Sequence, residues 1–199
     1  MRRAPRSPIP LPMSKPTLFV ITVSTRQGRQ GEPVARWAAE RAEAHGGFEV
    51  ERVDLRQEAL PLFDEPRHPH LGRYEHEHTR RWSAKIARAD AFVFVTPEYN
   101  HGMAPSLLNA LTYLSAEWAY KPAAFVSYGG ISGGTRSVHE ARAVTSFLRM
   151  MPIPEGVPIP FFAKSIADGV FDGSAHEKAA TAMLDELGRW TLALRTLRS

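Results

Sequence analysis

The sequence predicts an α/β fold in which five parallel strands, doubly wound in the order 2-1-3-4-5, form the middle of three layers. Short apolar runs alternate with helical patterns along the chain, and no internal repeat interrupts this alternation. Such alternation is typical of parallel strands joined by right-handed helical crossovers. A dinucleotide-binding sheet is the alternative, but the G-x-G-x-x-G that it needs after strand 1 is missing.

The first half of the chain contributes two of the predicted strands. Thr17–Val23 is apolar along nearly its whole length, which is typical of a strand buried on both faces. A helix over Glu32–His45 ends at Gly46-Gly47, a common stop signal. Phe48–Asp54 alternates apolar and polar residues and suits a strand nearer the edge of the sheet. The following segment, Leu55–Tyr74, is irregular and rich in Pro and His.

The second half continues the alternation of helices and strands. A helix over Glu75–Ala89 leads into Ala91–Thr96, a second fully buried strand. The remaining predicted elements are helix Pro105–Glu117, strand Ala123–Ser127, helix Arg136–Met150, strand Ile159–Ala163 and helix His176–Arg198. Prolines weaken the last strand. Ser174 is the candidate N-cap of the last helix.

Composition limits the classes of protein to consider. The chain has 199 residues, of which 43% are hydrophobic and 23% charged, and this predicts one globular domain over residues 15–199. There is no cysteine, which excludes disulfides, thiol nucleophiles, cysteine-ligated zinc and iron–sulfur clusters. No apolar run approaches the roughly 18 residues of a membrane helix. We therefore expect a cytoplasmic protein with no membrane partner.

The basic character of the chain is concentrated at its start. Removing the arginines at positions 2, 3 and 6 takes the net charge from +4 to +1. Residues 1–14 are basic and rich in Pro, without periodicity, and we predict a disordered leader; Met13 is an alternative start. Three arginines make few phosphate contacts, so we expect no nucleic-acid partner.

The loop after the first predicted strand has the residues of an anion site. Ser24-Thr25-Arg26-Gln27-Gly28-Arg29-Gln30-Gly31-Glu32-Pro33-Val34 joins a buried strand to the N-terminus of a helix. Free backbone N–H groups and the helix dipole favour an anion there, and hydroxyls and arginines add donors. Glycines allow the backbone to approach closely. A phosphate monoester fits this loop, although it is not a P-loop because G-K-[ST] is missing.

Two further loops with unusual composition leave the same edge of the predicted sheet. After strand 3, Pro97-Glu98-Tyr99-Asn100-His101-Gly102 is followed by Pro105-Ser106-Leu107-Leu108-Asn109-Ala110-Leu111. After strand 4 the chain is rich in glycine, as Ser127-Tyr128-Gly129-Gly130-Ile131-Ser132-Gly133-Gly134. Because ligands of such sheets bind outside the carboxyl ends of the strands, we expect the three loops to form one site.

These motifs resemble the NADPH-dependent FMN reductase family of the flavodoxin-like fold, which includes azo-dye, quinone and chromate reductases. The resemblance covers roughly Thr17–Pro152, and the string that begins at Pro97 is its most specific part. It implies one bound FMN, with NADPH or NADH as co-substrate. The short chain, the phosphate-type first loop and the missing pyrophosphate motif favour FMN over FAD.

The resemblance also implies which residues bind the flavin. The first loop contacts the phosphate, the second the ring, and the third the pyrimidine side of the ring. The predicted cofactor-binding residues are Ser24, Thr25, Arg26, Arg29, Gly31, Pro33, Val34, Pro97, Glu98, Tyr99, Asn100, His101, Gly102, Ser127, Tyr128, Gly129, Gly130 and Ser132. No side chain is required as an acid or base because the flavin does the chemistry. His101 is a candidate proton donor, but an exposed ring is the simpler interpretation.

The sequence therefore predicts an NAD(P)H-dependent oxidoreductase. It passes electrons through FMN to a small-molecule acceptor: a flavin, a quinone, an azo compound or a metal oxyanion. The main alternative is a flavodoxin-type electron carrier or flavin-binding regulatory protein without turnover, although carriers are usually acidic. A third interpretation is an anion-binding domain without flavin. The acceptor, the choice between NADH and NADPH, and the arginine that holds the phosphate stay open.

The resemblance implies a homodimer or homotetramer, and two helices offer a physical reason. Their apolar residues exceed the single stripe that covers a sheet: Leu107, Leu108, Ala110, Leu111, Tyr113 and Leu114 on one, and Val138, Ala141, Val144, Phe147 and Leu148 on the other. A partner subunit would bury the surplus. The alternative is that Leu55–Tyr74 folds over it.

Histidines crowd one stretch of the chain without forming a convincing metal site. They are His68, His70, His76 and His78. An H-x-H spacing on a helix directs the two side chains about 200° apart, and the surroundings are Pro and charged residues. We predict no metal.

Overall fold

A central sheet organises the computed structural model, which describes residues 14–198. Five parallel strands lie in the order β2-β1-β3-β5-β6, and β4 pairs antiparallel with the end of β3. The strands are β1 (Thr17–Thr22), β2 (Glu49–Asp54), β3 (Ala91–Tyr99), β4 (Gly102–Met103), β5 (Pro122–Tyr128) and β6 (Met151–Ile159). Counted over the parallel strands alone, this is the predicted order 2-1-3-4-5, and the flavodoxin-like architecture is confirmed.

Helices cover both faces of the sheet. They are α1 (Glu32–His45), α2 (Leu55–Glu58), α3 (Glu77–Ala87), α4 (Pro105–Thr112), α5 (Thr135–Phe147) and α6 (Glu177–Leu194). The bounds of α1 match the prediction, because Pro33 lies in the first turn and Gly46 ends the helix with a left-handed φ of 73°. The predicted helix from Pro105 is shorter, and a separate 3-10 turn, Ala116–Trp118, follows it.

Two apolar cores fill the space between the three layers. Alternate residues of β1 and β3 point to opposite faces, so Val20 and Val93 pack towards α1 and α6, while Phe19 and Phe92 pack towards α3, α4 and α5. Central strands buried on both faces hold the carboxyl ends of β1, β3 and β5 side by side. Among residues 14–198, no helix combines the length and the apolar character needed to cross a bilayer.

The prediction for the last strand is wrong. The strand is β6, and of the predicted Ile159–Ala163 only Ile159 belongs to it. β6 contains Pro152, Pro154 and Pro158, but it pairs with β5 alone and is interrupted by a bulge, so an edge position tolerates the missing N–H groups. The apolar residues after Ile159 form a turn and a 3-10 helix instead.

Two smaller predictions also need correction. Ser174 does not cap α6; it begins a 3-10 turn, and His176 precedes α6 without a side-chain cap. A short antiparallel hairpin, β7 (Ile166–Ala167) with β8 (Val170–Phe171), was not predicted. The predicted leader falls almost entirely on residues 1–13, which lie outside the described residues.

The irregular segment after β2 covers α4. The Phe63 N–H donates to Asn109 Oδ1 at 2.9 Å, and Asn109 Nδ2 and the Tyr113 hydroxyl donate to the Pro61 carbonyl at 2.6 and 3.1 Å. This segment therefore covers part of α4. Of the eleven apolar residues assigned to a partner subunit, six are buried within this chain and three are half-buried. Of that set, only Leu108 and Phe147 are exposed, by 45% and 86%.

Candidate functional site

The three predicted loops meet in one cavity of about 650 Å³ outside the carboxyl ends of β1, β3 and β5. A fourth wall comes from the segment after β6, which the sequence did not predict because its apolar residues suggest a strand. The cavity is lined by Ser24, Arg26, Gly28, Arg29, Gln30, Gly31, Pro97, Glu98, Tyr99, Tyr128, Gly129, Gly130 and residues 161–164. Ten of these twelve named residues, all but Gly28 and Gln30, were among the predicted site residues.

The N-terminus of α1 presents unpartnered donors to this cavity. The N–H groups of Gln30, Gly31 and Glu32 have no hydrogen-bond partner within residues 14–198, and no side chain caps the helix. Because the first N–H groups of a helix have no partner inside the helix, a ligand or water must satisfy them. Together with the positive end of the helix dipole, they form a site for an anion.

Arg26 and Arg29 have different surroundings. The Arg29 side chain is 9% exposed, pairs through both terminal nitrogens with Asp54 at the end of β2, and donates to the Ser24 carbonyl at 2.7 Å. Hydrogen bonding to Asp54 raises the pKa of Arg29. Arg26 is exposed, lies 5.9 Å from the centre of the Tyr99 ring, and has no carboxylate partner in the described part of the chain. Of the two arginines, Arg26 is thus the one that is free to pair with a ligand.

Asp54 was missed by the sequence argument, although a signal for it was available. It is the last residue of β2, which neighbours β1 in the predicted strand order, so its side chain had to lie near the first loop. Its pairing with Arg29 fixes the position of that loop against the sheet.

A tyrosine packs directly against the first loop. A Cβ atom on Gly31 would overlap the Tyr128 hydroxyl, so only glycine fits between Tyr128 and the start of α1. Ser24 Oγ and the Tyr99 hydroxyl are 2.7 Å apart, which joins the first loop to the second. Burial raises the pKa of Tyr128, and the hydroxyl stays neutral.

The second loop is a tight hairpin. Asn100 and His101 both have positive φ, of 49° and 68°, and they connect β3 to β4 as a two-residue turn. This is the conformation of a type I′ hairpin, in which Asn is favoured. The Met103 N–H donates to Glu140 Oε2 at 2.7 Å, which holds the hairpin against α5. His101 is exposed and does not line the cavity.

Glu98 joins the second loop to the third. Its carboxylate accepts from the Ser132 hydroxyl at 2.8 Å, from the Arg136 N–H at 3.1 Å, and from the Arg136 guanidinium at 2.8 Å. Burial alone would raise the pKa of Glu98, but these hydrogen bonds outweigh it and lower the pKa. The N–H groups of Gly130 and Ile131 have no partner within residues 14–198. The third loop is therefore held by its side chains while part of its backbone stays free to donate.

Several predicted site residues do not line the cavity. Val34 is fully buried in the core, and Ser127 is buried and donates to the Gly133 carbonyl at 2.8 Å. Thr25 lines a separate, smaller cavity beside α2 and α4. The others outside the lining are Pro33, Asn100, His101, Gly102 and Ser132, which shape the loops rather than form their inner surface.

In the histidine-rich stretch, the side chains of His76 and His78 contact each other and nearby Asp64. His78 Nε2 lies 2.9 Å from Asp64 Oδ1, and the His76 and His78 rings stack with centres 5.2 Å apart. Within the described part of the chain, no group of three or more His, Asp or Glu side chains could hold a metal ion.

Comparison with known proteins agrees with this geometry. The sequence profile described as NADPH-dependent FMN reductase matches residues 16–164. This chain belongs to the NADPH-dependent FMN reductase family. Within the family, an NAD(P)H-dependent FMN reductase of Schizosaccharomyces pombe is 40% identical over 159 residues, 79% of each chain. A quinone reductase of Pseudomonas putida is 32% identical over 147 residues, covering 70% of this chain and 75% of that protein.

The fold is shared with a solved flavoenzyme. The structure described as FerB, a flavoenzyme NAD(P)H:(acceptor) oxidoreductase from Paracoccus denitrificans, superposes with a TM-score of 0.69 at 22% identity, covering 89% of this chain and 98% of that one. The prediction of an FMN reductase family enzyme is thus confirmed at the level of family, fold and cofactor class.

The cavity of this family member fits the chemistry of FMN. One end offers N–H groups and a free guanidinium for a phosphate. The other end offers backbone, including free N–H groups at Gly130 and Ile131, for a flat ring with carbonyl oxygens. A Cβ atom on Gly130 would meet no atom within 4 Å, so that wall is open to a ligand.

Proposed function

We propose that this chain is an NAD(P)H-dependent reductase that binds one FMN in the cavity at the carboxyl edge and passes electrons to a small-molecule acceptor, such as a quinone or a free flavin. One observation carries the proposal: three loops with the family motifs surround donors that have no partner in the described part of the chain. The names of the two curated relatives support the reaction class.

The first loop would bind the phosphate. The N–H groups of Gln30, Gly31 and Glu32 donate to its oxygens, and the Arg26 guanidinium supplies the balancing charge. Arg29 acts indirectly, because its pairing with Asp54 holds the loop in position. We therefore propose Arg26, and not Arg29, as the arginine that contacts the cofactor.

The second and third loops would bind the ring. Backbone at Pro97 and Glu98 forms one wall, and the free N–H groups of Gly130 and Ile131 donate to the ring's carbonyl oxygens. Preorganised donors stabilise the negative charge that a reduced ring carries, because they need not reorganise when that charge appears. Bound FMN would itself supply hydride acceptance and release. We assign no catalytic acid or base to the chain.

The test is a spectrum of the purified protein followed by titration with NADPH under nitrogen. We expect a yellow protein with the absorption bands of oxidised flavin, which NADPH bleaches and a quinone restores. Heat should release FMN and not FAD. A protein that stays colourless after incubation with FMN, or a yellow protein that NADPH does not bleach, would contradict the proposal.

We also propose that residues 15–199 form one domain and that the enzyme is a cytoplasmic homodimer or homotetramer. Support for the oligomer comes from the family resemblance and from exposed Leu108 and Phe147, a smaller apolar surface than the sequence suggested. Light scattering at micromolar concentration tests it. A fully active monomer would contradict it.

A further inference from the structure

The segment after β6 is held rigidly beside the proposed flavin site. Phe161 has a φ of 49°, an uncommon conformation for a residue with a side chain, and its N–H donates to the Gly130 carbonyl at 3.0 Å. The Phe162 ring packs on Tyr128 with centres 4.7 Å apart. The Lys164 N–H donates to the Phe161 carbonyl at 2.9 Å. These bonds fix the direction in which Lys164 leaves the backbone.

Lys164 lines two cavities, and we take its side chain as the junction between them. The first is the proposed flavin cavity, and the second, of about 630 Å³, lies between α1, the β7–β8 hairpin and the start of α6. Of the residues that line the second cavity, Lys164 alone also lines the first. A ligand that spans both cavities must therefore pass this side chain.

The charge of Lys164 has no protein partner. Its Nζ lies 5.1 Å from the centre of the Phe161 ring and makes no ion pair within residues 14–198. Arg41 in the second cavity pairs with Glu177 at 3.2 Å, while its buried Nε has no hydrogen-bond partner among the described residues. The junction between the cavities thus carries one uncompensated positive charge.

The second cavity has the lining of a nucleoside site. Trp37 and Phe171, which are 7% and 5% exposed, pack edge to face with ring centres 5.5 Å apart at the base of this cavity. Ser165, Ser174 and Asp172 line the same cavity and can bond hydroxyl groups. Apolar and aromatic surface with a few polar groups is the usual lining of a small-molecule site.

We propose that the second cavity binds the adenosine half of the reduced nicotinamide dinucleotide, and that Lys164 pairs with the pyrophosphate at the junction. The inference rests on the proposed function, because the nicotinamide must then lie against the flavin ring in the first cavity. A dinucleotide consists of two nucleosides joined by an anionic bridge, and two cavities joined at an unpaired cation match that order of parts.

The first test replaces Lys164 by Gln and compares two hydride donors. NADPH and NADH contain the pyrophosphate, whereas 1-benzyl-1,4-dihydronicotinamide contains no phosphate. We expect KM for both dinucleotides to rise about tenfold or more, the scale of one lost charged hydrogen bond. KM for the benzyl donor should change less than KM for either dinucleotide, so that the comparison isolates the pyrophosphate. Lys15→Gln is the matched control, because Lys15 is exposed and precedes β1 at the opposite edge of the sheet.

The second test fills the cavity and measures binding without turnover. Val170 is 63% exposed on the hairpin, so Val170→Trp can place an indole in the second cavity without disturbing the core. We expect ADP-ribose, titrated calorimetrically into the FMN-loaded protein, to bind the wild type and to bind each variant about tenfold more weakly.

The outcomes separate this inference from the proposed function. Unchanged KM and unchanged ADP-ribose binding in both variants would overturn the inference, even in an active reductase. Weakened FMN binding in Lys164→Gln, with no effect on ADP-ribose, would place Lys164 at the FMN phosphate and also overturn it. A wild-type protein that binds ADP-ribose but oxidises neither kind of donor would contradict the proposed function alone.

Discussion

The Lys121 and Asp90 side chains at the amino edge of the sheet are bound to other protein groups, whereas several backbone N–H groups at the carboxyl edge have no partner within residues 14–198. At the amino edge, Lys121 Nζ donates to the Ile86 and Ala87 carbonyls at 2.9 and 3.2 Å. Asp90 there accepts from the Thr17 N–H at 3.0 Å and from Arg195 at 2.8 Å. At the carboxyl edge, the start of α1 and the third loop keep free N–H groups.

The difference shows why cavity size alone does not identify the site. The cavity at the amino edge is the larger, about 1300 Å³ against about 650 Å³. Of the residues that carry the free N–H groups at the carboxyl edge, Gly31 is buried and the others are exposed, so water can satisfy these donors until a ligand replaces it. The same strands therefore provide stability at one end and binding at the other.

Substitution of Gly31 should have the largest effect on the carboxyl edge. A Cβ atom at this position would overlap the Tyr128 hydroxyl, so Gly31→Ala must displace the tyrosine or the start of α1. We expect FMN affinity to fall by about 100-fold or more, at the upper end of the cost of overpacking. Gly188→Ala, where the added Cβ would lie 3.7 Å from Phe48, is the control. Fluorescence titration with FMN measures both, and equal affinities would show that this close approach is unimportant.

Substitutions of the two arginines in the first loop should have different effects, one on FMN affinity and the other on the free energy of unfolding. Arg26→Gln should weaken FMN binding by about 1.5–3 kcal/mol, the value of a hydrogen bond to a charged group, with little change in the free energy of unfolding. Arg29→Gln should lower the free energy of unfolding instead, because it leaves the Asp54 carboxylate without its partner. FMN titration and urea unfolding of the apoprotein measure the two quantities. The reverse pattern would assign the phosphate to Arg29.

Substitution of Lys121, at the amino edge, should lower stability without changing FMN affinity. Lys121→Met leaves the carbonyls of Ile86 and Ala87 without this donor, so we expect the free energy of unfolding to fall by about 1–3 kcal/mol. FMN affinity should stay at the wild-type value, since the cavity is at the other edge. A clear loss of FMN affinity would mean that the two edges are coupled.

The pH dependence of this effect has a definite sign. Burial, and then the neighbouring Arg198, lower the pKa of Lys121 to about 8 from its usual 10.5. Between these values the unfolded chain binds more protons than the folded one, so the contribution of Lys121 to stability rises with pH. The stability difference between wild type and Lys121→Met should therefore grow from pH 8 to pH 10. A difference that shrinks over that range would rule out a lowered pKa.

Turn residues and apolar runs in the sequence were enough to predict helix α1 and the buried strands. The bounds of α1 follow from Pro33 and Gly46, and the buried strands follow from continuous apolar runs. The last strand was misplaced because prolines argue against a strand, and only the edge position of β6 makes them acceptable. The hairpin at Asn100 carries a turn signal that was present in the sequence but not used.

In the candidate site, too, local sequence predicted some features, while others depend on contacts between distant parts of the chain. The family motifs located the three loops, but the partners that hold them come from distant parts of the chain. Asp54 binds Arg29, Arg136 binds Glu98, and the Phe161 N–H, in a segment that the sequence assigned to a strand, donates to the Gly130 carbonyl. Such pairings depend on how the loops pack against one another, and the residue types within one loop do not determine that packing.

The central claim is that the carboxyl edge recognises a flavin by its phosphate, and a comparison of FMN with riboflavin tests it most directly. The two ligands share the ring and differ in the phosphate. We predict that the apoprotein, followed by quenching of flavin fluorescence, binds FMN at least about 100-fold more tightly than riboflavin, as expected for two or more charged hydrogen bonds. Arg26→Gln should narrow that ratio. Equal affinities for the two flavins would contradict the account.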